Sequence, residues 1–265
     1  MCDTCGCGDN SGYTIINTSG GHTYYGHDHE HPHTHPHNHK HSIAENHGHQ
    51  HAGRIIEVEK DALYHNNLLA ERNRGFFEAK NIVALNLVSS PGAGKTLLLE
   101  KTVLSLQVKR KITVIEGDQQ TTRDADRINA AGIPVIQVNT GSGCHLDASM
   151  VHAALKELKP PDNSILMIEN VGNLVCPAMF DLGESARVVI ISVTEGEDKP
   201  LKYPFMFQSS HICIINKTDL LPHLEFNLDE LKANALKINH HLQFFEISLK
   251  TGHGLNKWTD WLNNQ

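Results

Sequence analysis

Ser89-Ser90-Pro91-Gly92-Ala93-Gly94-Lys95-Thr96 stands between an apolar run, Ile82 to Val88, and the apolar helix start Leu97-Leu98-Leu99. A strand, a glycine-bearing turn and a helix in that order form a loop whose backbone amides converge on an anion. Gly92 and Gly94 let the chain curl through Ala93, Lys95 reaches toward terminal phosphates, and the Thr96 hydroxyl is placed to hold Mg²⁺. Ser89 occupies the position where the general pattern has its first glycine.

Outward from this loop, short apolar runs recur: Ile112 to Ile115, Pro134 to Val138, Ile165 to Ile168, Val188 to Val193, Ile212 to Ile215 and Phe244 to Ile247. They lack the alternation of a half-exposed strand and read as strands buried on both faces. Helical patterns fill several intervals, at Thr96 to Val108, Asp147 to Leu158 and Leu228 to Ile238, and another helix runs from Asp61-Ala62-Leu63 toward Phe76-Phe77. The fold class expected is α/β, a P-loop NTPase with a doubly wound, mostly parallel sheet and helices on both faces. Ligands of such sheets bind beyond the carboxyl ends of the strands, so the polar residues after each run are the candidates for function.

After the run ending at Ile215 comes Asn216-Lys217-Thr218-Asp219. A carboxylate at Asp219 can accept two hydrogen bonds from the guanine N1 and N2 edge, which adenine does not offer, while the Lys217 stem packs along the base. Ser248-Leu249-Lys250, after the last run, reads either as a supporting base loop or as a plain loop. Asp118 and Glu169 each follow a core run. Asp118 is the candidate for Mg²⁺ and water organisation, and Glu169-Asn170-Val171-Gly172 is a switch-like element whose Gly172 amide would sense a γ-phosphate. Asn173 stands where fast GTPases often carry a water-orienting glutamine, so the intrinsic hydrolysis of GTP to GDP is expected to be slow.

The six cysteines are read as thiols of a reducing cytosol, because the polar N-terminus offers no secretory signal. A cytoplasmic location is the expectation. Cys2, Cys5 and Cys7 lie in C-x-x-C-G-C, close enough to wrap three thiolates around one ion. With Met1 removed, the Cys2 amine would complete an N,S set suited to square-planar Ni²⁺, and Zn²⁺ would fit a tetrahedral version. Twelve of the twenty histidines fall between His22 and His51, a density of weak imidazole ligands that suggests metal storage. Residues 1–52 are therefore expected to be a disordered, Cys/His-rich metal-binding segment, and residues 53–265 the globular GTPase domain. A third candidate set is Cys144 and His145, after the third run, with Cys176, after the fourth. Shared on one ion near the phosphates, these ligands would couple nucleotide state to metal release; as unpaired thiols they would carry no such role. Cys213, flanked by Ile212 and Ile214, reads as core.

The formal charge of -7, with no Lys/Arg block, excludes nucleic acid and anionic membrane as main partners.

Taken together, these residues resemble the HypB family of hydrogenase-maturation GTPases, in the SIMIBI class of P-loop proteins. The resemblance rests on Ser89 to Thr96, Glu116-Gly117-Asp118-Gln119-Gln120, Asn139-Thr140-Gly141, Gly143 to Asp147, Glu169 to Pro177 and Asn216 to Asp219, together with the N-terminal cysteines and histidines. It implies a GTP-dependent homodimer with a metal site at its interface built from Cys144, His145 and Cys176. It also implies delivery of nickel, with a HypA-like partner, to the [NiFe]-hydrogenase large-subunit precursor. The N-terminal cysteines would then be the tight nickel site and the histidines a reserve. A urease-type accessory GTPase and a nickel or zinc storage protein are the alternatives. The order Cys144-His145 and the N-terminal cysteines favour the first reading over the urease type, and an intact Lys95, Thr96, Asp118 and Asp219 argue against pure storage.

Overall fold

In the computed structural model the described residues are 12–17, 21–25, 50–106, 109–119 and 123–265. Seven strands follow the apolar runs: β3 (Val83–Ser89), β4 (Ile112–Asp118), β5 (Val135–Asn139), β6 (Ile165–Glu169), β7 (Ala186–Ser192), β8 (Ile212–Asn216) and β9 (Gln243–Glu246). All six pairings among them are parallel. Two further strands, β1 (Tyr13–Asn17) and β2 (Gly21–Tyr25), form an antiparallel hairpin on β5. The sheet order is β2-β1-β5-β4-β6-β3-β7-β8-β9.

Helices cover both faces. One face carries α2 (Lys95–Leu106), α3 (Arg123–Ala130) and α8 (Leu255–Asn263), which pack Leu98, Val103, Ile128, Trp258 and Leu262 against Leu85, Leu87 and Val114. On the other face, α1 (Gln50–Ala79) and α4 (Ala148–Leu158) bury Phe77, Val151 and Ala154 against Ile115 and Ile168. Further along that face, α6 (Pro204–Ser209) and α7 (Leu228–Ile238) bury Phe207 and Leu231 against Val189 and Ile215, beside the short α5 (Lys199–Lys202). Successive strand residues point to opposite faces, so strands covered on both sides are apolar at nearly every position. The doubly wound α/β reading is therefore the observed architecture.

Helix ends follow their local chemistry. Asp147 caps α4 by accepting from the Met150 amide at 2.8 Å, and Asn227 caps α7 from Asp229 and Glu230. Each such cap contributes about 1 kcal/mol.

The hairpin of β1 and β2 lies within residues 1–52. Tyr13 and Ile15 are buried at 6% and 1% exposure. A five-residue strand cannot order itself alone, but it gains a ladder and a buried face by covering the open edge of β5. Helix α1 also begins at Gln50, inside the histidine-rich stretch. Residues 1–11, with Cys2, Cys5 and Cys7, and residues 26–49, with ten of the twenty histidines, lie outside the described residues.

The chain leaves β3 for β4 on one side and, after β6, returns to β7 on the other, which makes the end of β3 a switch point. Ser89, Asp118, Glu169, Ser192 and Asn216 end their strands along this one edge. Among the described residues no helix is long and apolar enough to cross a membrane.

Candidate functional site

The loop after β3 curls through two left-handed glycines, Gly92 at φ +77° and Gly94 at φ +100°. A Cβ on Gly92 would point into open space, whereas one on Gly94 would lie 2.4 Å from Asn216 Nδ2. Gly94 is thus required both by its backbone and by the close approach of β8. Asn216, 3% exposed, donates from Nδ2 to the Ala93 carbonyl at 2.7 Å and accepts from the Leu249 amide at 3.4 Å. One buried amide therefore ties the phosphate loop to both base-loop candidates. Its sequence position suggested only a base-reading role.

Lys95 and Thr96 meet a carboxylate. The Thr96 hydroxyl donates to Glu169 Oε1 at 2.7 Å, and Lys95 Nζ lies 3.4 Å from the same oxygen. Glu169 pairs in register with Glu116 on β4 and Leu87 on β3, and both glutamates are 2% exposed. Gly172 sits over the loop: a Cβ there would come 3.3 Å from Pro91 Cγ. Asp118, at the end of β4, accepts from the Gln119 amide at 2.5 Å. The sequence reading put Thr96 and Asp118 on the metal and assigned Glu169 to a switch. In the structure Glu169 also contacts the Thr96 hydroxyl directly. The donor set, a hydroxyl and the Glu169 carboxylate beside a lysine, fits a hard divalent cation bound with phosphates.

At the other end, Ser248 Oγ donates to Asp219 Oδ1 at 2.6 Å. The serine is held in turn: its Oγ accepts from Thr251 N at 3.2 Å and its backbone N donates to His253 O at 3.0 Å. Lys217 adopts a left-handed φ of +62° before a 3-10 turn, Thr218–His223. Lys250 is exposed at the rim. The two loops expected to frame a base are adjacent and hydrogen-bonded.

A second cluster lies on the same edge. Sγ of Cys144, a ring nitrogen of His145 and Sγ of Cys176 lie within 4.8 Å of one another, with Cys144 Sγ 3.8 Å from His145 Nδ1. The loop carrying Cys144 can descend onto β4 because Gly117 has no side chain: a Cβ there would sit 2.7 Å from Leu146 Cγ. Asn170 Oδ1 accepts from the Leu146 amide at 3.0 Å, and Asn173 Nδ2 donates to the Cys144 carbonyl at 3.4 Å. Cys176 opens a 3-10 turn, Cys176–Ala178. Burial pushes the His145 pKa down, against a smaller upward pull from Asp147, which favours the neutral ring that a metal ligand requires. Two thiols and an imidazole suit nickel or zinc, and Cys144 is the more exposed of the two thiols. Cys213, by contrast, is fully buried in β8.

Sequence reasoning missed Phe180, whose ring stacks on His145 with centroids 4.0 Å apart and planes at 27°. It also missed the polar chain Asn86, Glu184 and Arg187 behind the cluster. A buried asparagine in the apolar run Val83 to Val88 was the available signal.

Comparison with known proteins places these features in context. Residues 83–246 match the family described as CobW/HypB/UreG, nucleotide-binding domain. The hydrogenase maturation factor HypB of Escherichia coli K12 is 46% identical over 287 aligned positions, covering 100% of this chain and 99% of the relative. Among solved structures, HypB of Archaeoglobus fulgidus superposes with a TM-score of 0.71 at 40% identity, over 76% of this chain and 98% of that one. HypB of Helicobacter pylori, in complex with nickel, superposes with a TM-score of 0.70 at 38% identity, over 75% and 94%.

Proposed function

We propose, from the premise that the chain belongs to the HypB hydrogenase maturation factors of the CobW/HypB/UreG family, that it is a GTP-hydrolysing nickel metallochaperone. Its cargo is nickel and its target is the [NiFe]-hydrogenase large-subunit precursor.

The observation that carries this reading is the continuity of one segment. Glu169 touches Thr96 and Lys95, Gly172 lies against Pro91, and Cys176 joins Cys144 and His145. Eight residues, Glu169 to Cys176, thus run from the phosphate loop to the thiol cluster. A change at the phosphate end has a short, packed path to the ligands.

In this reading Gly92, Ala93 and Gly94 present amides to the phosphates, and Lys95 offsets their charge. Thr96 and Asp118, with Glu169 beside them, hold Mg²⁺, which supplies charge neutralisation at the phosphates when bound. Lys217 and Asp219 select guanine, supported by Asn216, Ser248 and Lys250. Cys144, His145 and Cys176 hold one nickel between two copies of the chain joined in the GTP state, and hydrolysis to GDP releases it. Zn²⁺ fits the same ligands. Cys2, Cys5 and Cys7 form a tight nickel site, the histidines a reserve, and a HypA-like protein the partner in a cytoplasmic transfer.

Native mass and nickel content of the purified chain, with GDP and with a non-hydrolysable GTP analogue, test the reading alongside Cys144→Ala. The expected result is analogue-driven dimerisation with one added nickel per dimer, lost in the variant. Mass and nickel content that ignore the nucleotide would overturn it.

A further inference from the structure

Behind the thiol cluster lies a set of buried polar groups that neither the phosphate loop nor the base loops use. Asn86 and Asn170 are 0% and 1% exposed, Arg187 and Glu184 5% and 7%. A carboxylate and a guanidinium at such depth are costly unless their lone pairs and protons are satisfied, and an apolar pair of similar size is often no less stable. Their presence needs a reason other than stability.

Their contacts supply one. Glu184 Oε1 accepts from Asn86 Nδ2 at 3.0 Å and from Arg187 Nε at 3.0 Å, while Oε2 accepts from the Leu182 amide at 2.8 Å. Burial works to raise the Glu184 pKa, but Arg187, Asn86 and backbone donors overcome it and keep the group ionised. Arg187 then forks outward. Nη1 donates to the Ala178 carbonyl at 3.1 Å and Ser209 Oγ at 2.8 Å, and Nη2 to the Phe180 carbonyl at 2.8 Å. At the far end, Asn170 Nδ2 donates to Asn86 Oδ1 at 3.3 Å, and Asn170 Oδ1 accepts from Leu146, the residue after His145.

One branch of this chain thus holds the Cys144-His145 loop and the other holds the turn after Cys176. The Phe180 ring closes the circuit by stacking on His145. We propose that Asn86, Glu184 and Arg187, with the ring of Phe180, are positioning residues that set the spacing of Cys144, His145 and Cys176 for the metal. The inference rests on the reading that this cluster binds nickel. The two ligand loops lie some thirty residues apart in sequence, and a rigid buried frame fixes ligand geometry as outer-shell partners of metal sites do. Arg187 carries the most of this role, because its planar fork spans two carbonyls that a lysine ammonium cannot span together.

The test uses the full-length chain with Cys2→Ala, Cys5→Ala and Cys7→Ala in every arm, so that thiolate-to-nickel charge-transfer absorption reports the Cys144 and Cys176 site. Nickel and GDP are titrated separately. Arg187→Lys is expected to weaken nickel roughly 10–100-fold and to shift the charge-transfer band, with GDP affinity unchanged. Phe180→Leu is expected to weaken nickel less, and Phe180→Tyr, which keeps a stacking ring, to restore it. Parental nickel affinity and spectrum in both Arg187→Lys and Phe180→Leu overturn the inference. If Arg187→Lys fails to bind GDP and so fails to fold, the Phe180 pair decides, and equal affinities in Leu and Tyr overturn it. Cys144→Ala in the same background separates the two readings: a band untouched by that change removes the nickel site itself, and the inference with it.

Discussion

Thr96 and Glu169 are joined by a 2.7 Å hydrogen bond from the threonine hydroxyl to Oε1, with Lys95 Nζ 3.4 Å from the same oxygen. The phosphate loop and the segment leading to Cys176 therefore share one buried carboxylate. In the proposed function, a phosphate entering the loop would compete with Glu169 for Lys95, and a cation bound at Thr96 would reorganise Glu169.

Replacing this carboxylate separates its charge from its shape. Glu169→Gln is expected to lower single-turnover GTP hydrolysis on the order of 10²-fold and to flatten its Mg²⁺ dependence, while GDP still binds. Quenched-flow hydrolysis across a Mg²⁺ titration measures both. An unchanged rate with an unchanged Mg²⁺ midpoint would remove Glu169 from the catalytic outline.

Asp219, to which the proposed function assigns base choice, accepts a 2.6 Å bond from Ser248 Oγ. Asp219→Asn replaces an acceptor pair with a donor and acceptor, so GTP should lose about 2 kcal/mol, roughly thirtyfold in affinity, and xanthosine triphosphate should gain. Ser248→Ala should weaken GTP in the same direction by less, since it frees the carboxylate without removing it. Competition titrations with the two nucleotides decide, and an Asn variant that still prefers guanine counts against this assignment.

Gly94 combines a left-handed φ of +100° with a Cβ position 2.4 Å from Asn216 Nδ2. Gly94→Ala must displace the Asn216 amide that holds Ala93, and should cost about 1–3 kcal/mol of stability together with most GDP binding. Thermal unfolding with and without GDP reads both effects. Wild-type nucleotide binding in this variant would show that the loop tolerates movement of β8's end.

Far from the site, the Trp258 indole N–H donates to Thr102 Oγ1 at 2.9 Å, both residues being fully buried. Thr102→Val keeps the volume but strands the donor, so denaturant unfolding should report a loss of about 1–3 kcal/mol. GDP affinity should be unaffected, because α8 and the rear of α2 contribute nothing to the nucleotide edge. A stability loss near zero would mean that the indole finds another acceptor.

Much of this architecture was legible in order of sequence. The seven core strands declared themselves because parallel strands buried on both faces read as near-continuous apolar runs. Helix α3, Arg123–Ala130, and α8, Leu255–Asn263, were not anticipated: α3 buries a narrow face through Ala125 and Ile128, and α8 relies on Trp258 and Leu262. Nor was the hairpin Tyr13–Tyr25, whose order depends on an edge strand more than a hundred residues away.

By itself the sequence determined the glycine loop Ser89 to Thr96, the tetrapeptide Asn216 to Asp219 and the strand ends on which they sit. Those features need only a few consecutive residues, with glycine where φ turns positive and apolar side chains where a strand is enclosed. Only the tertiary structure decided which distant groups meet: Glu169 with Thr96, Asn216 with Ala93, Arg187 with the turn after Cys176, and Cys176 with Cys144 and His145. Those meetings depend on strand order. The placement of β6 between β4 and β3 follows from packing the whole sheet and both helical layers at once.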